Sequence, residues 1–169
     1  EFVDIAGLVA GASKGEGLGN QFLASIREVD AILHVLRCFD DDNVTHVNGK
    51  INPVGDAATV NTELMLADLE SLERRIEPLE KRATSGDKEA KASLPVMQRT
   101  LAALRDGKPA RTVERSDDET PIFRSLQLIT AKPVLYVCNV DEDSAATAAS
   151  ALRAAGMLHE DCVHACVSA

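Results

Sequence analysis

No stretch of this sequence reads Gly-x-x-x-x-Gly-Lys-[Ser/Thr]. The two Gly-Lys steps, Gly49-Lys50 and Gly107-Lys108, run on into Ile51 and Pro109. The chain therefore has no loop that wraps phosphates in backbone N–H groups while presenting both a lysine and a Mg²⁺-binding hydroxyl. Long hydrophobic runs are missing too: no 18 consecutive apolar residues occur, so no helical membrane span is expected. Glu1-Phe2-Val3-Asp4 offers neither a basic start nor an apolar run, and does not read as a secretory signal. There is no initiating Met, and the chain is expected to begin inside a longer protein.

Positive charge is in short supply. The net charge of −9 argues against a broad nucleic-acid-binding face and against a sequence-specific DNA reader. The basic residues Arg74, Arg75, Lys81, Arg82, Lys88 and Lys91 are interleaved with acids and read as a solvated helical face. Only four cysteines are present, and Cys162-x-x-x-Cys166 has no second close pair, so a zinc site is not expected. Reduced cysteines near the ends of apolar runs, in a cytoplasmic protein, are the plain reading.

With 45% apolar and 27% charged residues, the chain has the composition of a globular domain. Residues 2–6 read as a short strand ending at Gly7. Residues 21–29 carry Phe22, Leu23, Ile26 and Val29 at helical spacing, and residues 31–39 form a nearly continuous apolar run, as in a parallel strand covered on both faces. The pattern then changes. Met65, Leu69, Leu72, Ile76 and Leu79 recur at intervals of four and three, predicting a helix over 57–83. After the turn Thr84-Ser85-Gly86-Asp87, the residues Ala90, Leu94, Met97, Leu101 and Leu104 repeat the same intervals to about Gly107. Pro95 should kink that second helix or mark a late first turn.

Ser116-Asp117-Asp118-Glu119 fits a capping box opening a helix to about residue 129. Lys132-Pro133 breaks it before the strand 134–138. Residues 144–155 read as an alanine-rich helix stopped by Gly156, and 162–167 as a last strand. His34 and His164, each within an apolar run, read as core histidines. Strands alternating with helices predict a parallel α/β sheet interrupted by a two-helix insertion.

The chemistry concentrates in two places. Asp4-Ile5-Ala6-Gly7 ends the first expected strand, where an acid can hold a magnesium-bound water and a Gly N–H can meet a terminal phosphate. Gly7, Gly11, Gly15, Gly17 and Gly19 crowd the following loop, a density that suits a segment reorganising around a ligand. The second place is Asn139-Val140-Asp141-Glu142, after the strand 134–138.

Asp4-Ile5-Ala6-Gly7-Leu8-Val9 followed by Gly11-Ala12-Ser13-Lys14-Gly15-Glu16-Gly17-Leu18-Gly19-Asn20 resembles the switch II segment of the Obg-like ATPases, the YchF family. Arg37-Cys38-Phe39, Asn43-Val44-Thr45-His46 and Gly86-Asp87-Lys88-Glu89-Ala90-Lys91 resemble it as well. The resemblance extends over essentially the whole chain. It implies a partial P-loop NTPase parallel sheet carrying an inserted antiparallel α-helical coiled-coil hairpin. The core would occupy 1–50 and 114–169, and the hairpin 51–113.

It further implies hydrolysis of ATP, with GTP as the lesser substrate, coupled on the ribosome to translation or stress response, with Mg²⁺ accompanying ATP. Asp4 would hold Mg²⁺ through water. Gly7 would face the terminal phosphate. Leu8 stands where Ras-like proteins carry a water-orienting glutamine, and its side chain cannot hydrogen-bond, so another group must act; the resemblance gives that role to His46. Asn139, Val140 and Glu142 resemble the family's NxxE base motif in place of the guanine-binding Asn-Lys-x-Asp, and Ser168 and Ala169 resemble the last base-contacting loop. Without a phosphate loop, the isolated chain is expected to be inactive. The alternatives are an Obg-type GTPase and a non-catalytic hairpin that docks on the ribosome or on a protein.

Overall fold

The computed structural model describes residues 3–4, 18–39, 52–140 and 164–168. The chain divides into two compact units: Glu1–Asp30 with Asn61–Lys132, and Ala31–Val60 with Pro133–Ala169.

The heptad residues fold as their spacing predicts. α1 is Leu18–Glu28, α2 is Pro53–Thr84 and α3 is Lys88–Arg105. α2 begins four residues earlier than its apolar pattern, because Asn52-Pro53 is a strong start signal. The Asn52 side chain accepts from Gly55 N at 3.0 Å, and proline suits the first helical position, where its missing N–H costs nothing. At the other end Gly86 takes φ +98°, with its N–H on Ala83 O at 3.2 Å and the Asp87 N–H on Arg82 O at 3.2 Å. This left-handed closure consumes the last carbonyls of α2. Asp87 then caps α3, its Oδ1 accepting from Glu89 N at 3.0 Å and Ala90 N at 3.1 Å. Gly107, at φ +72°, ends α3 in the same manner.

Pro95 neither ends α3 nor sits in its first turn. The helix runs through it, and the carbonyl deprived of an N–H partner belongs to Lys91, an exposed residue.

Leu72 of α2 and Val96, Met97, Leu101 and Leu104 of α3 form the core of the first unit with Ala110, Val113, Phe123, Leu126 and Leu128. Met65, Leu69, Ile76 and Leu79 pack against it. Polar pairs cross between the two helices, Arg105 to Glu73 at 2.9 Å and Gln98 to Glu80 at 3.4 Å. The basic face is solvated as expected, with Arg74–Glu70 at 3.5 Å and Lys81–Glu77 at 2.6 Å, exposed pairs that stabilise little.

Only the glutamate half of the expected capping box forms, Glu119 accepting from Ser116 N at 3.1 Å, and Glu119 rather than Ser116 is the residue that precedes the helix, with no side-chain cap bond. That helix, α4 (Thr120–Ser125), stops short of its expected end near residue 129. Gln127 adopts φ 53°, which turns the chain so that Leu126 and Leu128 both enter the core, and Ile129–Ala131 forms a separate 3₁₀ turn.

The second unit is a parallel sheet of β1 (Ile32–Arg37), β2 (Val134–Val140) and β3 (His164–Ser168), in that order. Its pairs include Leu36 with Cys138 and Cys138 with Cys166. Leu36, Tyr136, Cys138 and Val140 bury one face against Ala57, with Val54 alongside. The opposite face of β1 corrects an expectation: Leu33 is 47% and Val35 57% exposed, so this strand is covered on one face only. Val3 and Asp4 carry no strand assignment. The remainder of that expected strand and the helix expected over 144–155 lie outside the described residues.

The carboxyl edge of the sheet as a candidate nucleotide site

Parallel strands bring their carboxyl ends to one edge, the usual place for a ligand in an open α/β sheet. The register puts Arg37, Asn139 and Val167 side by side on β1, β2 and β3, with Val140 beside Ser168. Pairing continues past β1, since Cys38 N donates to Asn139 O at 2.7 Å. The guanidinium of Arg37 lies 4.9 Å from the Phe39 ring centroid, and its Nε donates to Phe39 O at 3.2 Å. The backbone at the end of β1 is thereby tied to its own side chains.

Asn139 is the distinctive member of this edge. Its backbone is taken up in the sheet, yet its side-chain Oδ1 is buried with no hydrogen-bond partner among the described residues. A buried acceptor without a donor costs about 1–3 kcal/mol, and native proteins keep few of them. Val140, next along the strand, alternates to the covered face and is 1% exposed within the core there. What Val140 presents to a ligand is therefore backbone rather than side chain. Farther from the edge, His34 stacks tilted on Tyr136 at 5.4 Å between ring centroids. Burial lowers the His34 pKa, and the charge of Asp56 acts in the opposite sense.

Of the residues singled out from sequence, Val140 and Ser168 are register partners on neighbouring strands, with Asn139 next along β2. Asp4 is exposed. Gly19 falls in the first turn of α1. Gly7, Leu8, Gly11, Gly15, Gly17, His46, Glu142 and Ala169 lie outside the described residues. Among the described residues, no three His, Cys, Asp or Glu side chains are grouped to hold a metal ion. A single exposed carboxylate such as Asp4 suits a water-mediated contact to Mg²⁺ and could not enclose the ion alone. No helix among the described residues is long and apolar enough to cross a membrane.

Sequence reasoning passed over Asp68. This α2 residue is 0% exposed, and its carboxylate accepts from Ile129 N at 2.9 Å, Thr130 N at 2.7 Å and Thr130 Oγ1 at 2.7 Å. Burial raises its pKa, against the pull of those donors. A signal was present, because position 68 is four residues before Leu72 and three after Met65, on the apolar face of α2.

Comparison with known proteins places this geometry. A family model described as a 50S ribosome-binding GTPase matches residues 1–68. The chain is 56% identical over 144 residues to a Haemophilus ducreyi protein named ribosome-binding ATPase YchF, spanning 85% of this chain and 40% of that protein. It is 51% identical over 146 residues to the Bacillus subtilis protein of the same name, spanning 86% of this chain and 40% of that protein. The solved structure of the Schizosaccharomyces pombe YchF GTPase superposes with a TM-score of 0.77 at 33% identity, over 97% of this chain and 46% of that one. The chain thus spans about 40% of the length of the curated relatives it matches, and its fold is that of a P-loop GTPase-type α/β domain.

Proposed function

The chain is homologous to the YchF family of P-loop NTPases across 85% of its residues, and from that premise we propose that it supplies the switch and base-recognition parts of an ATP-hydrolysing site. The observation that carries this reading is the buried Oδ1 of Asn139, without a partner among the described residues, at the carboxyl edge of a parallel sheet. An acceptor there can take an N–H donor from a purine base; the guanine-binding motif begins with the same asparagine, so the preference for adenine rests on the acid, Glu142 in place of aspartate. The sequence Asn139-Val140-Asp141-Glu142 has Val140 where the guanine clamp has its lysine and Glu142 where it has its aspartate. Glu142, Ser168 and Ala169 complete the base pocket, with Val140 contributing backbone.

Hydrolysis would use residues of the N-terminal segment. The Gly7 N–H would meet the terminal phosphate, and the loop carrying Gly11, Gly15 and Gly17, ahead of Gly19 in α1, would close around it. Leu8 has no group that can orient water, so His46 positions the attacking molecule. Asp4 would hold one water of the Mg²⁺ that accompanies ATP, an ion that would supply charge neutralisation at the transferring phosphate. In this reading the NTPase core is 1–50 and 114–169. Residues 51–113 form an inserted antiparallel coiled-coil hairpin that helps the protein engage the ribosome, in the cytoplasm, in translation or stress response.

Equilibrium binding of fluorescent ATP and GTP with Mg²⁺ tests the nucleotide reading. It compares this chain with a version extended to the length of its relatives. Tight binding of ATP over GTP by the extended version alone is expected, and Asn139→Ala should abolish it. Tight binding by the 169-residue chain would show that phosphates are held without a phosphate loop, against the mechanism. A preference for GTP would favour the second reading, an Obg-type GTPase, which the names of the family model and of the S. pombe relative support. For the hairpin, charge reversal at Arg74, Lys81 and Lys88 should weaken ribosome association, and unchanged association would leave docking to other surfaces. Arg75 is unsuited to that test because its Nη1 donates to Leu126 O at 2.9 Å.

A further inference from the structure

Ile129–Ala131 is only one turn long, yet with Lys132 it gathers side-chain hydrogen bonds from distant parts of the first unit. From α2, the Asp68 carboxylate takes the N–H groups of Ile129 and Thr130 together with the Thr130 hydroxyl. That hydroxyl in turn accepts from Ala110 N at 3.0 Å, in the segment that follows α3. Arg111 Nη1 reaches Thr130 O at 3.4 Å. Every polar group of Thr130 is therefore engaged. Two residues on, Lys132 turns the other way. Its Nζ donates to Arg27 O at 3.0 Å and to Val29 O, at the carboxyl end of α1. A cation there complements both the last carbonyls and the negative end of the helix dipole.

We propose that residues 129–132 form a mechanical junction that couples α1 to the helical pair α2–α3, with Asp68 and Lys132 as its two clamps. This inference goes beyond nucleotide hydrolysis and does not depend on it. Two independent sets of contacts converge on four consecutive residues, with no slack between them: the 3₁₀ turn is held on one side and the lysine on the other. Burying a carboxylate where an apolar residue would pack costs stability unless each of its bonds is made. Such a network is either complete or broken and does not stretch gradually, the property needed to pass a displacement on in discrete form. By chain connectivity, α1 follows the glycine-rich loop and β2, with Asn139, begins two residues after Lys132. A displacement of α1 must therefore carry the junction along or break the bonds of Lys132.

Hydrogen exchange followed by mass spectrometry on the whole 169-residue chain tests this, using Lys132→Met, Thr130→Val and Asp68→Asn singly and in pairs. Loss of a bond to a charged group should speed exchange roughly tenfold where the bond is made. The coupling predicts more. Lys132→Met should also speed exchange in α2 around residues 64–72, and Thr130→Val should speed it in α1 around residues 23–28. Thr130→Ser should restore the original rates, and the paired variants should be non-additive. If each change stays within its own contacts and the pairs add, the junction is packing alone and the proposal is overturned. Should Asp68→Asn unfold the chain, the Thr130 and Lys132 variants still decide the matter.

Discussion

In the helical unit nearly every strong group has found its counterpart, whereas the sheet unit leaves groups unanswered. Asp68 is buried and meets three donors. Asp87 closes one helix end onto the next, and Leu72 is 0% exposed against residues of α3. In the sheet, by contrast, Leu33 and Val35 face outward and Asn139 Oδ1 has no donor among the described residues. The sheet unit carries the larger share of apolar residues, so a shortage of them does not explain the difference. The difference lies in how far contacts along the chain suffice. A helix satisfies its own backbone and a helical pair its own seam, while a parallel sheet depends on neighbours supplied from elsewhere. Stability should therefore be concentrated in the first unit and ligand-seeking groups in the second.

Substitutions can break or sharpen that contrast. The largest effect is expected for Leu72→Ala, about 2–5 kcal/mol by chemical denaturation, from lost burial plus the cavity left behind. Leu33→Ala should cost less than about 0.5 kcal/mol in the same assay, and equal losses would erase the distinction between the units. Next comes Asp68→Ala, at about 3 kcal/mol, because it strands buried N–H donors rather than merely deleting a bond.

The pH dependence of stability should then divide the carboxylates by sign. Burial raises the Asp68 pKa, so the folded chain keeps that proton to a higher pH than the unfolded chain. Its contribution therefore falls as pH rises through the interval above the ordinary carboxylate value. Asp87 is lowered, first by the Ala90 N–H and then by Arg82; Glu119 is lowered, first by Arg99 and then by the Ser116 N–H. Their stabilisation is present above the ordinary carboxylate pKa and is lost as pH falls through their lowered folded values. Melting temperature against pH should flatten on the acid side in Asp87→Ala and Glu119→Ala. In Asp68→Asn the decline on raising pH should vanish instead. Curves of unchanged shape would mean that these contacts do not set the titration. The smallest effect is expected for Val35→Thr, which should leave the melting temperature nearly unchanged while reducing exposed apolar surface.

Much of the helical unit was legible because its signals are local. The interval of four and three that marks Leu72, Leu101 and Leu104 needs only the helical period, and Gly86-Asp87 announces a left-handed closure followed by a cap. The early start of α2 was legible in principle, since Asn52-Pro53 is a cap and a first-turn proline. The end of α4 was not, because nothing in Leu126-Gln127-Leu128 states that two leucines must enter one core and force Gln127 to a positive φ. At the candidate site, the motif around Asn139 identified the position. That its amide oxygen is buried and unanswered, while the neighbouring valine turns into the core, depended on strand register and on which face Ala57 covers.

By itself the sequence determined the alternation of helices and strands, the turn chemistry between α2 and α3, the absence of a phosphate loop and the likeness to an ATPase family. All of these are written in neighbouring residues or in motifs. Only the tertiary structure decided that β1 is covered on one face, that Asp68 ties α2 to the turn 129–131, and that Lys132 holds the end of α1. The reason is physical: burial and pairing of a polar group depend on partners 61 to 105 residues away along the chain, and no local pattern encodes who will be adjacent once the chain has closed.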